Sequence, residues 1–71
     1  MKYLILMSND EETFYDLKDI NKICSDYAQN LDQEVDLKEI DIKPLEMLTV
    51  IYFNNGSTAA FRTANLEMYF G

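Results

Sequence analysis

The chain has 71 residues, 48% of them hydrophobic, and its thirteen carboxylates against six cations give a formal charge of −7. So short a chain holds one domain, spanning 1–71, because dividing its core would leave too little apolar surface buried in each half. Five tyrosines and four phenylalanines exclude a disordered acidic tail, no apolar run approaches the ~18 residues of a membrane span, and the carboxylate excess repels the phosphates of nucleic acid.

Tyr3, Leu4, Ile5, Leu6 and Met7 are apolar without interruption, the pattern of a strand covered on both faces or central in a small sheet. The stretch follows Lys2 but is too short for a signal peptide and lacks a small-residue cleavage site. Ser8 with Glu11 three residues later forms a capping-box pattern, which predicts a helix starting at Asn9 or Asp10. Phe14, Leu17, Ile20, Cys24, Tyr27, Ala28 and Leu31 then recur at three- and four-residue steps and carry that helix to about residue 30, ~30 Å in all. Over 34–42, Val35, Leu37, Ile40 and Ile42 alternate with a change of parity near Lys38. Their β-branching favours a bulged strand over a helix, and Pro44 ends it.

Residues 48–53 predict the next strand, Asn54-Asn55-Gly56 a tight hairpin turn, and 57–62 the return strand. A loop at 63–65 leads to a closing strand over 66–70. The order β-α-β-β-β-β is that of an α+β domain: a small, mostly antiparallel twisted sheet with one long amphipathic helix packed on one face.

Twelve carboxylates lie between Asp10 and Glu46 beside only Lys18, Lys22, Lys38 and Lys43, so the middle of the chain carries twelve minus four, or −8. On the predicted helix Glu12, Asp16, Asp19 and Asp26 share about 80° of arc at about 100° per residue. Tyr15 stands beside them, opposite the apolar stripe. Such a flank is either a solvated surface or a binding ridge, extended in the second case by Asp32, Glu34, Asp36 and Asp41. Its four carboxylates fall about 7 Å apart, against about 1.7 Å per charge in duplex DNA. The ridge alone therefore does not replicate a duplex, but it could imitate a stretch of one strand or pair with an Arg/Lys groove. Tyr15 is either an interface anchor or a ring partly covered over the helix surface. The candidate partner-binding set is Glu12, Tyr15, Asp16, Asp19, Asp26, Asp32, Glu34 and Asp36.

Nothing in the chain marks catalysis. Histidine is absent, which removes the usual general base near neutral pH and the commonest transition-metal ligand. The carboxylates have polar neighbours and no sign of a pocket that would push two pKa values apart. Asn9-Asp10-Glu11-Glu12 and Asp32-Gln33-Glu34 lack the ligand alternation and central glycine of a calcium loop. Cys24, the single cysteine, excludes an internal disulfide and reads as buried core within the apolar stripe. No catalytic residue, metal or cofactor is predicted.

Val50-Ile51-Tyr52-Phe53-Asn54-Asn55-Gly56-Ser57-Thr58-Ala59-Ala60-Phe61, with Asn65-Leu66-Glu67-Met68-Tyr69, resembles the terminal hairpin of short proteins encoded by phages and mobile elements of Gram-positive bacteria. The resemblance implies a setting in which small acidic proteins, anti-CRISPR proteins and other nucleic-acid mimics among them, block host defence nucleases. The expectation is a non-enzymatic, cytoplasmic inhibitor, a monomer or small homo-oligomer. It would bind a basic partner surface, on a CRISPR effector or another nucleic-acid-binding protein, without contacting nucleic acid or membrane itself. The alternative is a structural or oligomeric accessory protein acting through a sheet edge or the Tyr69-Phe70 end, with charge serving solubility.

Overall fold

Asn9 and Asp10 both take positive φ, 51° and 66°, as a two-residue type I′ hairpin turn requires. Both residue types tolerate this left-handed region better than most. The turn joins strand β1 (Tyr3–Ser8) to β2 (Glu11–Asp16) and sets Ser8 opposite Glu11. The computed structural model describes residues 2–32, 35, 37 and 41–71. After β2 come a 3-10 turn at Leu17–Asp19, β3 (Ile20–Tyr27) and a second 3-10 turn at Ala28–Asn30. The chain then returns as β4 (Met47–Phe53), β5 (Thr58–Arg62), a third 3-10 turn at Thr63–Asn65 and β6 (Leu66–Phe70).

The strands form two antiparallel three-stranded sheets, ordered β2-β1-β6 and β3-β4-β5. The α+β expectation of one sheet under a long helix is therefore overturned, because β2 and β3 occupy the residues predicted to be helical. The reason lies in two interruptions of a strand pattern. Leu17 and Ile20 of the expected stripe pack on the core together with Ile23, while Phe14, Cys24 and Tyr27 of that stripe are exposed. The step from 17 to 20 spans the 3-10 turn, and the step from 20 to 23 spans the register shift between Ile20 and Lys22. Each interruption adds one residue to a period of two, so the broken strand imitates helical spacing. Likewise, a residue pair three apart marks a capping box in a helix and the closing pair of a two-residue hairpin. Ser8 and Glu11 are the latter.

Strand alternation divides each sheet into an inner and an outer face. Leu4 and Leu6 of β1 and Ile51 of β4 form a fully buried cluster, surrounded by Tyr15, Leu17, Ile20, Ile23, Phe53, Phe61 and Leu66. Thr49, two residues before Ile51 on the same face, is buried with its hydroxyl 2.9 Å from Ser25 Oγ and 2.8 Å from Thr63 Oγ1. Those two bonds satisfy a polar group that burial would otherwise penalise. On the opposite face of β4, Leu48 and Val50 are also fully buried, and Val35 in the long connection before β4 is buried too. That connection is tied at its ends by Ala28 N–H to the Glu46 carbonyl, 2.9 Å, and Gln29 N–H to the Pro44 carbonyl, 3.0 Å. Arg62 clamps it to β5, with Nε 2.6 Å from Glu46 and Nη2 2.7 Å from Asp41.

The strand expected over 34–42 falls largely outside the described residues, as do Glu34 and Asp36. Cys24 is exposed on β3 opposite Val50, not buried. Among the described residues, no helix is long and apolar enough to cross a membrane.

Candidate functional site

A cleft of about 570 Å³ opens where the end of β2 and the first 3-10 turn meet the β4–β5 hairpin, lined by Tyr15, Asp16, Asp19, Phe53, Asn54, Asn55 and Ser57. Each wall follows from local chemistry. At the hairpin, Gly56 N–H donates to the Phe53 carbonyl, 3.1 Å, and Gly56 takes φ 90°. This is the left-handed step that ends a three-residue hairpin loop and that glycine adopts at no steric cost. Asn55 Oδ1 accepts from Ser57 N–H at 2.9 Å and Ser57 Oγ at 2.6 Å, fixing the loop tip. Across the cleft, Asp16 caps the 3-10 turn by accepting from Lys18 N–H at 3.1 Å. Asn54 then locks the two walls together: its N–H donates to the Asp19 carbonyl, 2.9 Å, and its Nδ2 to the Lys18 carbonyl, 2.7 Å.

The apolar part of the cleft is aromatic. The rings of Tyr15 and Phe53 lie 5.3 Å apart at 45°, a tilted packing favoured by their quadrupoles. Partial burial raises the Tyr15 hydroxyl pKa, so it stays neutral at any physiological pH. Lys18 Nζ sits 3.8 Å from Asp16 Oδ2 with its own side chain 76% exposed. Such a surface pair contributes about 0–1 kcal/mol and yields readily to a better cation.

This arrangement can hold a cationic group: carboxylates stand at its mouth and an aromatic pair forms its wall. It contains no activated nucleophile. The Ser57 hydroxyl donates to an amide oxygen, which is no base. Among the described residues, no three of His, Cys, Asp or Glu converge as metal ligands.

The structure thus brings Tyr15, Asp16 and Asp19 together and separates the rest of the expected set. Glu12 lies on β2 opposite Met7, on the outer face, while Tyr15 turns inward against the core. Asp26 lies on β3 opposite Leu48. It accepts from Asn30 Nδ2 at 3.0 Å and Tyr27 N–H at 2.7 Å, and these bonds hold its carboxyl below the usual range. Asp32 is exposed beyond the second 3-10 turn. The continuous carboxylate flank from Glu12 to Asp26 does not form, because that flank depended on the helix. Tyr15 also differs from expectation, being half-buried on the core side. Sequence reasoning missed Phe53, Asn54, Asn55 and Ser57, whose part in the cleft depends on a contact 36 residues apart in sequence. Compared with known proteins, the chain matches no family model, no curated protein and no solved structure.

Proposed function

We propose that this chain is a non-enzymatic binding protein that engages a basic surface of a partner protein in the cytoplasm of a bacterial host. Its most concrete form is an anti-CRISPR-type inhibitor of a nucleic-acid-binding complex. One observation carries this reading: in a chain of charge −7, two carboxylates, Asp16 and Asp19, line one cleft with the Tyr15–Phe53 pair, and among the described residues that line it none is cationic, Lys18 meeting Asp16 from outside at 3.8 Å. An Arg or Lys side chain of the partner would enter with its charge on the carboxylates and its flat or aliphatic part along the rings. The overall negative field would speed the encounter and reject anionic partners, while the partly desolvated aromatic wall would slow release.

The test is the double substitution Asp16→Asn with Asp19→Asn. Asparagine caps a helical turn about as well as aspartate, so the fold keeps its unfolding midpoint while both charges disappear. A basic partner captured from host lysate at low salt is expected to bind the variant tenfold or more weakly, since each lost charge-assisted hydrogen bond costs about 1.5–3 kcal/mol. The wild-type interaction is expected to weaken steeply with salt. Equal capture by wild type and variant would remove the cleft from the binding surface.

A further inference from the structure

The outer face of the β2-β1-β6 sheet carries an aromatic row that the cleft does not use. Strand register sets Phe14, Ile5 and Tyr69 side by side across all three strands, on the face opposite Leu4 and Leu6. Phe14 is 60% exposed and Tyr69 51%, with Ile5 half-buried between them. The row on one side is Glu12, Met7 and Glu67, and the row on the other begins with Asp16 and Tyr3. The result is an apolar stripe bordered on one side by two carboxylates, Glu12 and Glu67, and on the other by Tyr3, Gly71 and the Asp16–Lys18 pair. By strand geometry it measures about 10 Å across the sheet, with borders about 14 Å apart. The Tyr69 hydroxyl donates to Glu67 Oε2 at 2.9 Å, which keeps the phenol protonated and holds the carboxylate along the face. Lys18 meets these rows at Asp16, its Nζ 3.8 Å from that carboxylate and away from Glu12 and Glu67.

An exposed apolar stripe within a charged rim is the pattern of an interface, with desolvation at the centre and selection at the border. Here the rim chooses the occupant. A second copy, an anionic bilayer or a nucleic acid would bring like charge against Glu12 and Glu67 on a chain already at −7. We infer that this face docks a partner protein surface with an apolar centre and Lys or Arg beside it, placed to meet Glu12 and Glu67. The inference rests on the reading of the chain as a binder of basic proteins, and it names a second surface for that binding that shares only Asp16 with the aromatic cleft.

The probe is a synthetic peptide with a Leu-Phe-Leu centre, two lysines on each side and capped termini, titrated into the isotopically labelled full chain and followed by NMR. Its counterpart carries glutamates in place of the lysines. Resonances of Phe14, Ile5 and Tyr69 are expected to shift with the lysine peptide alone. Replacing Phe14→Thr with Tyr69→Thr, which retains strand propensity, is expected to weaken that binding about tenfold, as loss of central aromatic anchors does. The variant's own spectrum verifies its fold. Shifts confined to Tyr15, Asp19 and Asn55 would overturn the docking face and leave the basic-partner reading standing. Equal binding of the two peptides, or no shift with either, would overturn both. Shifts of the row on raising protein concentration without peptide would replace the partner by a second copy and overturn the inference.

Discussion

Alanine at both Asn9 and Asp10 is expected to destabilise the protein by about 2 kcal/mol, while glycine at both positions leaves it as stable as the wild type or more so. The cause is the pair of positive φ angles, 51° and 66°. A side chain with a Cβ in that region costs about 1–2 kcal/mol unless, like Asn or Asp, it bonds locally to the backbone, and glycine avoids the clash altogether. The order of the two variants is diagnostic. In a helix whose first turn holds these residues, the glycine pair would gain nothing over the alanine pair, because neither position would have positive φ and glycine is the poorer helix former. Urea unfolding of the two variants therefore separates hairpin from helix by the sign of one difference.

Ile51→Ala is expected to cost about 2–5 kcal/mol, the range for truncating a large residue with no exposed surface. Ile51 is fully buried between Leu4 and Leu6 of one sheet and the residues of its own. A chain of 71 residues has roughly 4–10 kcal/mol of stability in total at about 0.05–0.15 kcal/mol per residue. The variant should melt about 8–40 °C lower, at about 4–8 °C per kcal/mol for a domain of this size, or fail to fold. Cys24→Ala supplies the control. With the thiol exposed, it should change stability by less than about 0.5 kcal/mol, whereas a core cysteine within a helical stripe would cost more. Equal effects of the two substitutions would displace Ile51 from the centre of the core.

Both results bear on what the sequence makes legible. The strands at Tyr3–Ser8, Met47–Phe53, Thr58–Arg62 and Leu66–Phe70 follow from unbroken apolar or β-branched runs, with Gly56 punctuating the hairpin as its positive φ demands. Residues 11–27 were misleading because periodicity reports the spacing of inward residues and not its cause. A 3-10 turn and a bulge, each inserting one residue, place Leu17, Ile20 and Ile23 inward at three-residue steps like those of a helix, while Phe14, Cys24 and Tyr27 of the expected stripe are exposed. The composition of that stretch held the contrary signal: Thr13, Phe14, Tyr15, Ile20, Ile23 and Tyr27 are β-branched or aromatic, and Asn9-Asp10 is a turn pair.

The site shows the same division. That Asp16 and Asp19 lie near Tyr15 was readable from the sequence, since near neighbours in sequence stay near in either fold. Their aromatic partner Phe53 was not, because it arrives through long-range pairing. The outer row of Phe14, Ile5 and Tyr69 was hidden for a related reason. A period of two along β2 sends Glu12, Phe14 and Asp16 to one face and Thr13 and Tyr15 to the other, a separation invisible while those residues are assigned to a helix.

The cleft and the aromatic row both exist only if residues 11–27 are paired strands. A single NOESY spectrum of the labelled protein decides that. Cross-strand contacts are expected between Ile5 and Phe14, Leu6 and Thr13, and Leu6 and Met68, following the register of β1 with its two neighbours. Contacts between residues three apart, running continuously from Asp10 to Asn30, would contradict the paired strands and with them both binding surfaces.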